Sequence, residues 1–294
     1  MVRSCVRCFF TLLLLSLTSG VIQSQDIKPA SEISKDSLTA EDKNLNHSLY
    51  AIMGYGNNML YMGSTISQDH AYESLSLIYG FRDELYVSFS GFHLHDMNPF
   101  AAFFNTSVNY NHTVNSWFDY ALTFSYFGVQ KSLADSLFAG FTYGSATAGF
   151  DWKIMYTKVS VSGVFSKENR FYYQIRNSRY FETGAFLNGK AVVSFDPYVN
   201  LLLGTMLKYE TVEGTKTTSS PPFRPWKNRT PNPTLKPAEF FGPMEVDFGL
   251  PVTLSYDYFS LEAEPGYILP LYKLNSGQKG FIFLLNAYIR IFQF

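Results

Sequence analysis

The densest chemistry in this chain is the run Phe92-His93-Leu94-His95-Asp96. Histidines at i and i+2 of a strand project from one face, where two imidazoles can share a metal ion. Two ligands leave a tetrahedral site half built, and His112 is the candidate for a third. The plainer reading is a pair of rim histidines at a polar interface. Nucleophilic chemistry needs a serine within hydrogen-bond reach of a histidine base. Ser88 and Ser90 are close in sequence but opposite in parity to His93 and His95, so the pleat of a strand separates them. An outer-membrane lipid hydrolase with serine and histidine on the barrel wall is therefore the least favoured reading, and no enzyme activity is expected.

Both cysteines, Cys5 and Cys8, precede the apolar run Phe9 to Leu17. With Arg3 and Arg7 before that run and Ser19, Gly20 and Ser24 after it, residues 1–24 read as a secretory signal. The cysteines leave with it, so the exported chain has no thiolate metal site, disulfide or cysteine nucleophile, and no cofactor is implied. Net charge is −1 and no basic stripe is interleaved with aromatics, which sets nucleic acid aside. Residues 25–49 read as a polar tail.

The elements that must position any site are strands. The chain is 46% hydrophobic and 18% aromatic but only 16% charged, apolar enough to require a large core or a bilayer. From Tyr50 onward apolar and polar residues alternate with period two. In Glu245 to Asp257 the even positions Val246, Phe248, Leu250, Val252, Leu254 and Tyr256 are apolar, and the odd ones are nearly all polar or small. Phe259, Leu261 and Ala263 oppose Ser260, Glu262 and Glu264 in the next run, and Leu85, Val87 and Phe89 oppose Tyr86, Ser88 and Ser90 in an earlier one.

Such runs place strands at 50–61, 71–81, 85–95, 115–128, 136–144, 147–157, 158–175, 180–195, 198–212, 245–257, 259–272 and 280–294. Short connections at 82–84, 196–198 and 257–258 contrast with long ones at 95–114 and 213–244. Short turns on one rim and long loops on the other define an all-β fold, a transmembrane antiparallel up-and-down β-barrel over residues 50–294, of about twelve strands within a range of roughly ten to fourteen. A chain with no spanning helix crosses lipid only as a closed barrel, because every backbone polar group must be paired internally.

The final stretch, Gly280 to Phe294, is then the closing strand, which accounts for an apolar C-terminus. It resembles the C-terminal strand signal of bacterial outer-membrane proteins, with Phe294 last and Phe292 and Tyr288 at alternate positions before it. That resemblance implies the barrel-insertion machinery as a partner. Arg290 and Asn286 depart from the pattern. Either they face the lumen while Phe281, Phe283, Leu285, Ile289 and Ile291 face lipid, or a bulge resets the faces near the end. The wider chain, from "GYGNNMLYMGST" at 54–65 through "SLIYGFRDELYVSFSGF" at 76–92, resembles outer-membrane β-barrel proteins of unknown function common in Bacteroidetes. The resemblance implies the outer membrane of a Gram-negative bacterium, contact with its lipid and lipopolysaccharide, and other envelope proteins as partners.

Candidate lumen charges are Asp247, Asp257, Glu262 and Glu264 on one wall and Lys153, Arg176, Lys190, Lys208 and Glu210 on others. They either line a permeation path or pair across a narrow interior and fill it. The proline-rich loop 214–243 offers Arg224, Trp226, Lys227 and Arg229 as extracellular contacts for a glycan, a partner or lipopolysaccharide phosphates, or as a plug. The expected role is a small pore or transport-related channel for an unidentified solute. The alternative is a non-transporting structural or accessory barrel that docks envelope partners.

Overall fold

A computed structural model describes residues 47–294 except 135, 167–168, 212–213, 220–237 and 272–279. The expected signal, most of the tail, and Arg224, Trp226, Lys227 and Arg229 lie outside the described residues. In chain order the strands are β1 (His47–Gly56), β2 (Leu60–Tyr61), β3 (Ser64–Thr65), β4 (Tyr72–Phe81), β5 (Leu85–Leu94), β6 (Phe103–Asn115), β7 (Phe118–Val129), β8 (Phe141–Asp151) and β9 (Tyr156–Phe165). They continue with β10 (Arg170–Ser178), β11 (Phe181–Glu182), β12 (Ala191–Phe195), β13 (Tyr198–Thr211), β14 (Gly214–Ser219), β15 (Ala238–Gly249), β16 (Val252–Tyr256), β17 (Phe259–Pro270) and β18 (Gly280–Gln293).

Twelve of these, β1, β4 to β10, β13, β15, β17 and β18, are the staves of one antiparallel barrel. It closes because β18 pairs with both β17 and β1. His47 and Phe294 exchange backbone hydrogen bonds of 2.9 and 3.0 Å at the seam, and their rings stack with centroids 5.1 Å apart. Three staves continue past a line of breaks at Arg179-Tyr180, Asp196-Pro197 and Leu250-Pro251 into β11, β12 and β16. Two of the three breaks hold a proline, which has no N–H for the ladder.

Tight connections at 82–84, 116–117, 152–155 and 257–258 share one rim with both ends of the described chain, here the short-turn rim. Asp196-Pro197 is a break within a stave, not the turn the sequence suggested. The sequence also misplaced strands in the middle. Phe103–Asn115, read as loop, is a stave; Phe141–Asp151 is one strand where two were expected; and 158–175 divides into β9 and β10. Residues 180–195, expected as one strand, instead hold the rim extensions β11 and β12 and form no stave of their own, so the errors cancel and the count of twelve is right.

The two faces follow the pleat. On β4 and β5 Leu75, Leu77, Leu85, Val87 and Phe89 are exposed on the outside, while Ser74, Ser76, Ser88 and Ser90 are buried within. Ser76 bonds Ser90 across the inside at 2.7 Å. Exposed aromatics gather at both ends of the apolar exterior: Trp117, Trp152, Tyr180 and Tyr258 at the short-turn rim, and Phe104, Tyr126, Phe171 and Phe281 toward the other. An apolar belt between two aromatic girdles is the exterior of a membrane-spanning barrel. No helix among the described residues is long and apolar enough to cross a membrane.

Both readings of the last strand turn out true at once. Asn286 and Arg290 are on the lumen parity, Arg290 opposite the buried Tyr50, and a register shift between Leu49 and Tyr50 then turns Phe292 and Phe294 outward. Replacing Phe294 with serine removes the His47 stack at the seam, and the folded fraction, read as gel mobility of unboiled protein, is expected to fall well below that of the unaltered chain.

Candidate functional site: a plugged lumen and a vestibule

A twelve-strand barrel is wider than inward side chains alone fill, since about eight strands already suffice for that. Here the connection between β1 and β4 supplies the difference. Residues 57–71, read in part as the end of the first strand, leave the wall at Gly56 and fold into a hairpin inside the barrel. Leu60 pairs with Thr65 and Tyr61 with Ser64, and the two residues between them, Met62 (φ 49°) and Gly63 (φ 74°), form a left-handed two-residue turn. Asn58 fixes its base: its Oδ1 accepts from the hydroxyls of Thr65 (2.7 Å) and Ser67 (2.8 Å), and its Nδ2 donates to Asp69 (2.8 Å).

The hairpin crosses to the far wall. Tyr61, 1% exposed, packs on Phe127, Phe141 and Tyr143, with ring centroids 5.1, 5.8 and 5.5 Å away. At the tip, a Cβ on Gly63 would lie 2.6 Å from Cε of Met244 and 3.7 Å from Leu202. These belong to one buried cluster that includes inward residues of β4 to β10, β13 and β15. A second segment joins it: Leu133, Leu137 and Phe138 pack into the same cluster, and Gln68 donates from Nε2 to the backbone oxygens of Ser136 and Leu137. Tyr61→Ala is expected to destabilise the barrel by about 3 to 5 kcal/mol, the cost of emptying a large buried aromatic site, measured by denaturant unfolding in detergent.

Below the plug the inner wall is lined by buried tyrosines and small hydroxyls, and at the short-turn rim lies a vestibule of about 570 Å³. Lys158 and Arg176, register partners on β9 and β10, stand on one side of it. Asp196, Thr253 and Glu262 stand on another, and Trp117, Lys153 and Arg179 lie at its mouth. None of its lining residues belongs to the plug or to the apolar cluster.

The charges singled out from sequence divide accordingly. Asp247 and Glu264 are buried on lumen-facing positions, and Glu262 lines the vestibule. Asp257 and Lys190 are exposed on the short-turn rim, outside the lumen, because strand pairing ends before them. Lys153 sits in the β8–β9 turn instead of on a wall strand. The side chains of Lys208 and Glu210 lie outside the described residues. Tyr288 is on the lumen face of β18, where its hydroxyl donates to Glu262.

The three histidines do not assemble, although His93 and His95 share a face with ring centroids 5.9 Å apart. His93 and His95 lie near the loop rim, bonded to the Phe100 carbonyl (2.8 Å) and to Glu73 (3.0 Å). His112 is near the opposite end of its strand, 2.9 Å from Glu84. No group of three or more metal-ligating side chains occurs among the described residues. Ser88 and Ser90 face the lumen and are bonded to Ser107 and Ser76, on the other side of the pleat from His93.

No family model matches the chain, and no curated protein does. Solved structures similar to it include LpxR from Salmonella typhimurium, at 11% identity over 82% of this chain and 99% of that one, with a TM-score of 0.47. An outer-membrane channel from Pseudomonas putida F1 matches at 8% identity over 86% of this chain and 100% of that one, with a TM-score of 0.39. The β domain of the Bordetella autotransporter BrkA matches at 8% identity over 83% and 98%, with a TM-score of 0.38. At these scores the likenesses carry no argument, and the fold stands on its own hydrogen-bond closure.

Proposed function

We propose that this chain is an outer-membrane β-barrel whose lumen is sealed toward the outside, and that it acts as a closed accessory barrel of the envelope, not as a standing pore. The observation that carries the reading is the hairpin across the lumen, with Tyr61 buried against three aromatic rings. The orientation follows from the usual disposition of such barrels, short turns in the periplasm and long loops outside. The vestibule then opens to the periplasm. The lipid-facing belt suits outer-membrane lipid and lipopolysaccharide, and the terminal Phe294 suits the insertion machinery. The test is planar-bilayer recording of the chain from Gln25 onward. Insertion without conductance steps is expected, and steady stepwise current from the unaltered chain would replace this reading with a pore.

A gated channel is the second reading, and one feature favours it. The hairpin part of the plug is one segment anchored at both ends to wall strands β1 and β4, so it can leave the lumen without unpairing any stave.

A further inference from the structure

The vestibule contains two ionic groups with unfilled bonding capacity. Arg176 lays its guanidinium over the Tyr198 ring, 3.7 Å from the centroid, and approaches Asp196 only to 3.9 Å. It donates no hydrogen bond to any described residue, although its side chain is only 13% exposed. The stacked face leaves the N–H edge of the fork available, which is the geometry that takes a carboxylate. Lys158 is its register partner on β9, so a second cation stands directly beside it on the same inner face.

Glu262 presents the opposite case. Its Oε1 accepts from Asn286 Nδ2 (3.1 Å) and the Tyr288 hydroxyl (3.2 Å), and its Oε2 from Thr253 (3.2 Å). All three donors are neutral, and no cation among the described residues pairs with it. The side-chain oxygen of Asn286 beside it is buried without a partner. These contacts orient the carboxylate as an acceptor for a positively charged donor. Glu262 and Arg176 line the same cavity, on staves β17 and β10, and are not bonded to each other.

We propose that the vestibule binds a small zwitterion of the amino-acid or short-peptide class, its carboxylate on Arg176 and its ammonium on Glu262. A ligand carrying both charges satisfies both groups at once, whereas a simple anion or cation leaves one of them unmet. The site is open at the short-turn rim and stands whether or not the barrel conducts, so it goes beyond the function proposed above.

The test is titration of glycylglycine into the folded barrel in detergent by calorimetry, with propionate and propylamine as single-charge controls. Saturable binding of the dipeptide is expected, with both controls weaker. Arg176→Gln and Glu262→Gln should each weaken the dipeptide about ten-fold, the size of one charge-assisted contact. Ser90→Ala, on the lumen wall away from the vestibule, should leave it unchanged, and the gel mobility of unboiled protein checks that each variant is folded. Absence of dipeptide binding, a control that binds as well as the dipeptide, or indifference to both substitutions in folded protein would each overturn the proposal.

Discussion

Replacing Met59–Ile66 with a Gly/Ser linker of equal length is expected to turn a silent barrel into a conducting one. The reason is volume. The hairpin, with Tyr61 and Met62 buried among wall residues from β7, β8 and β15, occupies the loop-side part of the lumen. Every stave keeps its two neighbours in the variant, since β2 and β3 pair only with each other. The barrel should therefore still fold and still shift mobility on boiling. Gly63→Val tests the same contact more gently. A side chain there meets Met244 at a backbone φ of +74°, so the turn is strained as well as crowded, and a loss of about 1 to 3 kcal/mol is expected with partial, flickering conductance. A folded linker variant that stays silent would show that the hairpin is not what closes the lumen.

The second large effect is a depth gradient on the outer face. Leu77 and Phe89 are cross-strand partners halfway along β4 and β5, and both are about half exposed to the exterior. Arginine at Leu77 then sits near the bilayer midplane and should cost about 2 to 4 kcal/mol. Leu254 has the same outward parity but lies beside the Asp257-Tyr258 turn, where arginine reaches the interface, so Leu254→Arg should cost about 0 to 1 kcal/mol. Inside the wall, Ser76→Ala breaks only the hydroxyl contact with Ser90 and should cost about 1 kcal/mol. Unfolding from lipid vesicles by denaturant gives all three values. Equal losses at Leu77 and Leu254 would remove the membrane from the account.

Most of the wall was legible because alternation survives wherever one face meets lipid. From Glu245 to Tyr256 the parity read from sequence holds across the Leu250-Pro251 break, with Glu245, Asp247 and Thr253 inside and Phe248, Leu250 and Leu254 outside. The hairpin was illegible for a related reason. Met59-Leu60-Tyr61-Met62 is apolar on every side because the plug is surrounded by wall, and a short apolar run continuing β1 looks like more of the same strand. Met62-Gly63 before Ser64-Thr65 was the available signal, a turn pair between two short runs. The stave Phe103–Asn115 was hidden by its polar composition. Asn105, Ser107 and Asn109 face the lumen while Thr106 and Tyr110 interrupt the aliphatic outer face, so the segment reads as loop. Arg176 and Glu262 were both legible as lumen charges from their parity, but their sharing of one vestibule was not, since it depends on the order β10-β13-β15-β17 of their staves in the sheet.

Sidedness and closure are tested together by one thiol. The chain from Gln25 contains no cysteine, so Ser255→Cys places a single thiol in the vestibule, and Ser132→Cys places one in an exposed loop at the opposite rim. A bulky polyethylene-glycol maleimide should label Ser132→Cys in intact cells and should label Ser255→Cys only after the outer membrane is permeabilised. Labelling of Ser255→Cys in intact cells at the rate of Ser132→Cys would contradict a lumen sealed to the outside.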